Sequence, residues 1–367
     1  MSATRKWTGT AVPGVRGLEP YRPGKPVEEL EREYGIRGAI KLASNENPLG
    51  AGPRAMEALT QALANIARYP DGGGFALKSA IARRHGVDPA CVTLGNGSND
   101  ILELAARCFV SAGDEVVFSE HAFAVYPIVT QAVGARAVVV PARDWGHDLD
   151  AMLAAVTGRT RLVFIANPNN PTGTWLRRTE LAHFIGQLPD SVVVVLDEAY
   201  AEYVEEPDYP NGIEWTGRYP SLVVARTFSK AYGLAGLRMG FGISDPVLAD
   251  LLNRVRQPFN VNSLAQAAAV AALEDTGHLE RSRRLNGEGM RQLTGGFRAL
   301  GLRFIPSVGN FVSVELPLPG REVYERLLRR GVIVRPVDNY GMPHHLRVTV
   351  GLPEENSRFL ESLAQVL

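Results

Sequence analysis

The sequence predicts an α/β domain built on a mostly parallel sheet flanked by helices, followed by a smaller α+β domain. Two observations carry this expectation. From about Lys41 to Leu273, short β-branched runs (CVTL, EVVF, ARAVVV, RLVFIA, SVVVVL, SLVVA) alternate with helical stretches such as ILELAARCF and AVYPIVTQAVG. Continuous apolar runs suit strands buried on both faces, and strand–helix alternation is the pattern of a parallel sheet. After Glu274 the texture changes. A charged helix from about Gly277 to Leu300 is followed by short strands near Phe311–Leu316 and Leu346–Val350.

In chain order, the first 25 residues are rich in Gly, Pro and Arg, show no period and read as an extended arm. Pro26 then opens VEELEREY and Gly35 closes it, a short helix with Pro at its start and Gly at its end. The expected division is an arm with its short helix over 1–34, a large α/β domain over 35–275 and a small α+β domain over 276–367.

Composition narrows the function. Lys plus Arg balance Asp plus Glu, 39 against 39, so no net field favours nucleic acid or an anionic membrane. No run approaches the ~20 apolar residues of a membrane span, and MSATRKWTGTAVPG lacks a secretory h-region. The two cysteines, Cys91 and Cys108, sit in apolar runs. They read as buried free thiols rather than a disulfide framework, and a reducing cytoplasm is expected.

In open parallel sheets ligands lie at the carboxyl ends of the strands, and four groups of residues fall there. Asp197 follows VVVVL and opens DEAY. A carboxylate at the end of a buried strand is costly unless paired. It either caps the next helix or faces a cation, for which a protonated pyridine nitrogen is suitable, with Tyr200 bonding a ring oxygen.

The second group is RTFSKAYGLAGLRMGF, where Ser229-Lys230 lies in the turn after SLVVA. Lys230 is either a surface lysine or an amine nucleophile whose pKa is lowered in a desolvated cleft. Arg238, with Thr227 and Ser229, suits the grip on a phosphate dianion. Third, Pro168 and Pro171 of NPNNPTG set a turn after RLVFIA. The turn is either purely structural or places Asn170 in the cleft as a donor. Fourth, LGNGSNDILEL puts Gly95 and Gly97 after a strand, with Ser98 or Asn99 capping a helix whose N–H groups face an anion. This is not the GxGxxG fingerprint, and Asp100 suits such a site only by pointing away or capping.

Taken together, ten strings in one order (GLEPYRPGKP, KLASNENPLG, RYPDGGG, GNGSND, HAFAVY, NPNNPTG, DEAY, FSKAYGLAGLRMGFG, GNFV and LRVTVG) resemble the fold-type-I pyridoxal-phosphate transferases over nearly the whole chain. Within them, the chain is most similar to the histidinol-phosphate aminotransferase group. The resemblance implies pyridoxal 5′-phosphate as cofactor, with Lys230 as the catalytic Schiff-base lysine. It implies Asp197 on the ring nitrogen, Tyr200 and Asn170 on the ring oxygen, and Ser98, Asn99, Thr227, Ser229 and Arg238 around the phosphate. Phe123 matches a stacking aromatic that is Tyr in many relatives. Tyr69 matches a tyrosine reaching the phosphate from a neighbouring subunit, which implies a homodimer with shared sites.

For substrate, the resemblance implies Arg347 as the carboxylate-binding arginine, with Arg335 and Tyr21 joining it on a phosphate, and Asn47 beside them. The implied reaction moves the amino group of histidinol phosphate to 2-oxoglutarate, in histidine biosynthesis. Alternatives are an aromatic amino-acid aminotransferase, a decarboxylase of a phosphorylated amino acid, and a pyridoxal-phosphate-sensing regulator. The last would need a basic DNA-binding domain that this charge-balanced chain does not suggest. An alternative for Arg335 is a surface pair with Asp338. His344 and His345 read as solvated loop histidines, and no metal-ligand spacing is found.

Overall fold

The computed structural model describes residues 3–21 and 23–367; Met1, Ser2 and Arg22 lie outside the described residues. The six β-branched runs form strands Val92–Asn96, Glu115–Ser119, Arg136–Val140, Thr160–Ala166, Val193–Asp197 and Leu222–Thr227. A seventh, Met239–Ser244, comes from MGFGIS, where two glycines dilute the strand signature. The sheet order is Val92–Asn96, Met239–Ser244, Leu222–Thr227, Val193–Asp197, Thr160–Ala166, Glu115–Ser119, Arg136–Val140. Met239–Ser244 runs antiparallel to both its neighbours, and the remaining neighbour pairs are parallel. Residues 228–238 are too few for the helical crossover that a parallel return requires.

Side-chain alternation explains the layers. Val194 and Leu196 join the core under the helices Phe75–His85 and Ser263–Glu274, whereas Val193 and Val195 join the one under Ser98–Phe109. Successive residues of a strand point to opposite faces, so a strand covered on both sides must be apolar throughout. Each fully buried Val or Leu contributes roughly 1.5–3 kcal/mol.

The C-terminal unit is a four-stranded antiparallel sheet in the order Arg335–Pro336, His345–Thr349, Phe311–Glu315, Phe304–Ile305. Leu293, Phe297, Val323, Leu327, Phe359 and Leu363, from the helices Thr276–Ala299, Gly320–Leu328 and Pro353–Val366, supply its core. Ile40–Lys41 pairs in parallel with Val332–Ile333, and the Thr349 N–H donates to the Leu42 carbonyl. The segment 40–45 is thereby laced onto this smaller unit and delivers Ser44 and Asn45 to the seam with the large sheet.

Three local expectations change. The arm is not simply extended: it contains the short helices Ala3–Thr10 and Pro13–Arg16. Gly14 lies where a Cβ would run into the Gln131 carbonyl, so the arm packs closely on the helix Val125–Ala132. Cys91 and Cys108 are free but half-buried rather than buried. His345 is not a solvated loop residue; it opens the strand His345–Thr349 and is buried against Trp145, while His344 is exposed. The helix Val27–Tyr34 forms as expected, with Gly35 in the left-handed conformation at φ 66°.

Candidate active site

A cavity of about 430 Å³ opens at the carboxyl ends of the parallel strands. Lys230, Asp197, Tyr200, Asn170, Arg238 and Arg347 all reach it. The Lys230 Nζ donates to the Ser44 carbonyl at 3.1 Å. Burial, with the charge of Arg347 adding to it, brings the Lys230 pKa down to about 7. A neutral amine is thus available near physiological pH, as nucleophilic attack requires.

Asp197 ends its strand with a buried carboxylate. Oδ2 accepts from the Tyr126 hydroxyl at 3.0 Å and Oδ1 from the Ala199 N–H at 3.3 Å. Burial pushes its pKa up to about 6, against the pull of these two donors. Both donors are neutral, so the arrangement stabilises a carboxylate fully only when a cation arrives.

Gly97 (φ 82°) leads the strand Val92–Asn96 into the helix Ser98–Phe109, whose Ser98 and Asn99 line the cavity. Ser98 is the first helical residue, so the expected cap is neither Ser98 nor Asn99 but Gly97, which has no side chain to offer the helix N–H groups. The helix starts at the cavity wall, so an anion there would meet its free N–H groups. Asp100 points away: its Oδ2 accepts from the Asn96 N–H at 2.8 Å and Asn260 Nδ2 at 3.0 Å. Arg238, itself left-handed at φ 56°, donates to the Ser229 hydroxyl at 3.5 Å. A Cβ on Gly97 would come within 2.7 Å of its guanidinium. A helix N-terminus, a serine and an arginine together suit an anion such as a phosphate.

Two further polar side chains, Asn170 and Tyr200, line the same cavity. The Arg347 Nη1 donates to Asn170 Oδ1 at 2.5 Å, which leaves Nδ2 as the donating group of that amide. Burial raises the Tyr200 pKa to about 12 and keeps its hydroxyl protonated. Phe123 lines the same cavity.

The family model for aminotransferase class I and II matches residues 37–363. The chain belongs to that family. It is 65% identical to histidinol-phosphate aminotransferase 2 of Pseudomonas fluorescens and 62% identical to that of Pseudomonas aeruginosa, over 97% of both chains in each case. Among solved structures it is similar to the histidinol-phosphate aminotransferase of Sinorhizobium meliloti in complex with pyridoxal-5′-phosphate. There the TM-score is 0.88 at 31% identity, covering 97% of each chain. Thermus thermophilus aspartate aminotransferase, at 23% identity and a TM-score of 0.84, shares the fold.

The residues of this aminotransferase fit pyridoxal phosphate on their own chemistry. A buried carboxylate suits a protonated ring nitrogen, the anion-favouring group suits a phosphate, and Lys230 lines the same cavity. Two residues named from the sequence are engaged elsewhere. The Asn47 amide donates to the Ala231 carbonyl at 2.9 Å and the Ser282 hydroxyl at 2.8 Å, so it braces the Lys230 turn and is not on the cavity wall. The Thr227 hydroxyl reaches the wall but donates to the Met239 carbonyl at 3.3 Å while accepting the Ser229 N–H. Tyr69 lies outside the cavity, 84% exposed and stacked on Phe259 at 4.9 Å. The sequence alone does not single out Ser44, which accepts from Lys230, Asn45, which donates to the Tyr200 hydroxyl, or Tyr126, which donates to Asp197. KLASNENPLG contains two eligible asparagines, and only the tertiary fold distinguishes them. Tyr126 looks like a core residue of an amphipathic helix.

Proposed function

We propose that this aminotransferase transfers the amino group of histidinol phosphate to 2-oxoglutarate, giving imidazole acetol phosphate and L-glutamate, as a step of histidine biosynthesis. One observation carries the substrate assignment. Arg335 and Arg347 are directly opposed residues on adjacent antiparallel strands, and both line the cavity. Like charges opposite one another across a sheet are destabilising by themselves. The pair becomes favourable around a dianion such as a phosphate monoester. The Arg335 guanidinium lies 5.4 Å over the Tyr21 ring, while Asp338 pairs with Arg321 at 2.7 Å. Leu18, Val125 and Ile128 line the same cavity and suit a flat ring.

Bound pyridoxal phosphate supplies an electron sink that lets a proton leave the substrate Cα. In this reading Asp197 keeps the ring nitrogen protonated, and Tyr200 and Asn170 donate to the ring oxygen. Ser98, Asn99, Ser229 and Arg238 hold the phosphate, while Thr227 fixes the turn that presents Ser229. Lys230 Nζ would hold the cofactor's aldehyde carbon and would serve as the base for a Cα proton within hydrogen-bond reach. Arg347 serves the carboxylate of glutamate or 2-oxoglutarate in the second half-reaction.

We also propose a homodimer in which Tyr69 serves the neighbouring site. The large exposed rings of Tyr69, Phe75 and Phe259, with Ile66, support it, since such exposure marks an association surface. A division at residues 34 and 275 goes with this reading, Ile40–Lys41 acting as a strap to the smaller unit. A cytoplasmic location agrees with two free thiols. Single-turnover amino transfer from a panel of amines tests the substrate. Histidinol phosphate should react fastest, and a hundredfold preference for phenylalanine would overturn the assignment.

A further inference from the structure

We propose that Asn45 is a positioning residue for the cofactor's ring oxygen. By donating to the Tyr200 hydroxyl it obliges that hydroxyl to give its own proton to the ligand, and Thr349 holds Asn45 in this orientation. The inference rests on the reading of the cavity given above, with Tyr200 at the ring oxygen.

Asn45 is buried at the seam between the two sheets, with φ 54°. Asparagine tolerates this left-handed conformation better than most residues. Its backbone is pinned twice: its N–H donates to the Thr349 Oγ1 at 2.9 Å, and its carbonyl accepts from Asn310 Nδ2 at 3.0 Å. The Thr349 hydroxyl has one proton, and it goes to Asn45 Oδ1 at 3.1 Å. With Oδ1 engaged, the amide presents Nδ2 to the Tyr200 hydroxyl at 2.9 Å. A hydroxyl carries one proton and accepts through its lone pairs. Once it accepts from Asn45, its proton is directed elsewhere, and the cavity is the side on which Tyr200 is open.

The arrangement also explains why the segment 40–45 is laced to the strand His345–Thr349. That strand carries Arg347, which orients Asn170, and two residues later Thr349, which orients Asn45. Both donors to one ring oxygen are thus polarised from a single strand of the smaller unit.

Asn45→Asp tests the direction of the hydrogen bond. The introduced carboxylate has nearly the same shape and tolerates the same backbone, but it accepts where the amide donates. Tyr200 then turns its proton away from the ligand. Pyridoxal phosphate dissociation should weaken about tenfold or more, as loss of a hydrogen bond to a charged acceptor does. The pH midpoint of the bound chromophore should shift as well. In a Tyr200→Phe background, where no proton exists to redirect, Asn45→Asp should change affinity by less than about threefold, because the two sites act as one unit.

Thr349→Val should move affinity and midpoint in the same direction without adding charge. Thr349→Ser, which retains the hydroxyl, should restore both to within about twofold of the natural protein. Equal effects of Asn45→Asp in the two backgrounds, or Thr349→Ser behaving like Thr349→Val, would overturn the inference. Unchanged cofactor affinity in Asn45→Asp, with normal uptake by the natural protein, would remove this inference alone. Failure of the natural protein to take up pyridoxal phosphate would remove the underlying reading with it.

Discussion

The Tyr126 hydroxyl donates a 3.0 Å hydrogen bond to Oδ2 of Asp197, from a helix on one face of the sheet to the end of a central strand. This bond opposes the burial that raises the Asp197 pKa to about 6. Tyr126→Phe removes it, while the ring keeps its parallel stack on Phe164 at 4.6 Å, so the fold should persist. The Asp197 pKa should then rise further. The acid-side loss of activity should move to higher pH, and cofactor retention should weaken about tenfold, as expected for a hydrogen bond to a charged group. A pH–rate profile superimposable on that of the natural protein would show that Tyr126 serves packing alone.

Lys230→Ala should abolish transamination and remove the visible chromophore of the cofactor-loaded protein. Lys230 is the amine on the cavity wall whose pKa lies near 7, and capture of an aldehyde needs a neutral amine. Turnover near that of the natural protein would contradict its catalytic role.

The cross-strand pair of Arg335 and Arg347 is expected to separate the two half-reactions. Arg335→Ala should reduce kcat/KM for histidinol phosphate about a hundredfold, in line with losing a charge-assisted fork to a phosphate. The half-reaction with 2-oxoglutarate should change only a fewfold, because a carboxylate monoanion is served by Arg347. Stopped-flow rates of each half-reaction measure this directly. Equal losses in both would remove the phosphate argument.

The parts of this site that were legible in the sequence share one property: they are local. DEAY, NPNNPTG, GNGSND and FSKAYGLAGLRMGFG each couple a strand end to its turn, so their side chains reach the cleft whatever the distant chain does. Asn45 and Tyr126 could not be read this way, because the hydrogen bonds that place them reach partners 304 and 71 residues away. The strand Met239–Ser244 escaped for a related reason. Gly240 carries no propensity for a strand, and a Cβ there would lie 2.2 Å from the Ser98 backbone nitrogen. Its glycine serves the close approach of a helix rather than the strand. The helical content of the arm was obscured by Gly and Pro, which punctuate it every few residues.

The lowered Lys230 pKa gives a pH dependence whose sign can be worked out for the cofactor-free protein. The unfolded chain holds the lysine proton up to about pH 10.5, and the folded chain releases it near pH 7. Between these values the unfolded state binds more protons, so raising the pH favours the fold. Below pH 7 both states are protonated and this contribution is constant. Thermal unfolding of the cofactor-free natural protein and of Lys230→Met should therefore diverge. The Tm of the natural protein should rise relative to the variant from pH 7 to pH 9, and the difference should be flat from pH 5 to pH 6. The same proton controls the chemistry. The fraction of neutral amine falls about tenfold for each pH unit below the midpoint, so the rate of pyridoxal phosphate capture should fall likewise between pH 6 and pH 5 and level off above pH 8. A capture rate that keeps climbing to pH 10 would place the amine at its ordinary pKa. The burial and the Arg347 field at this position would then be too weak to prepare it for attack.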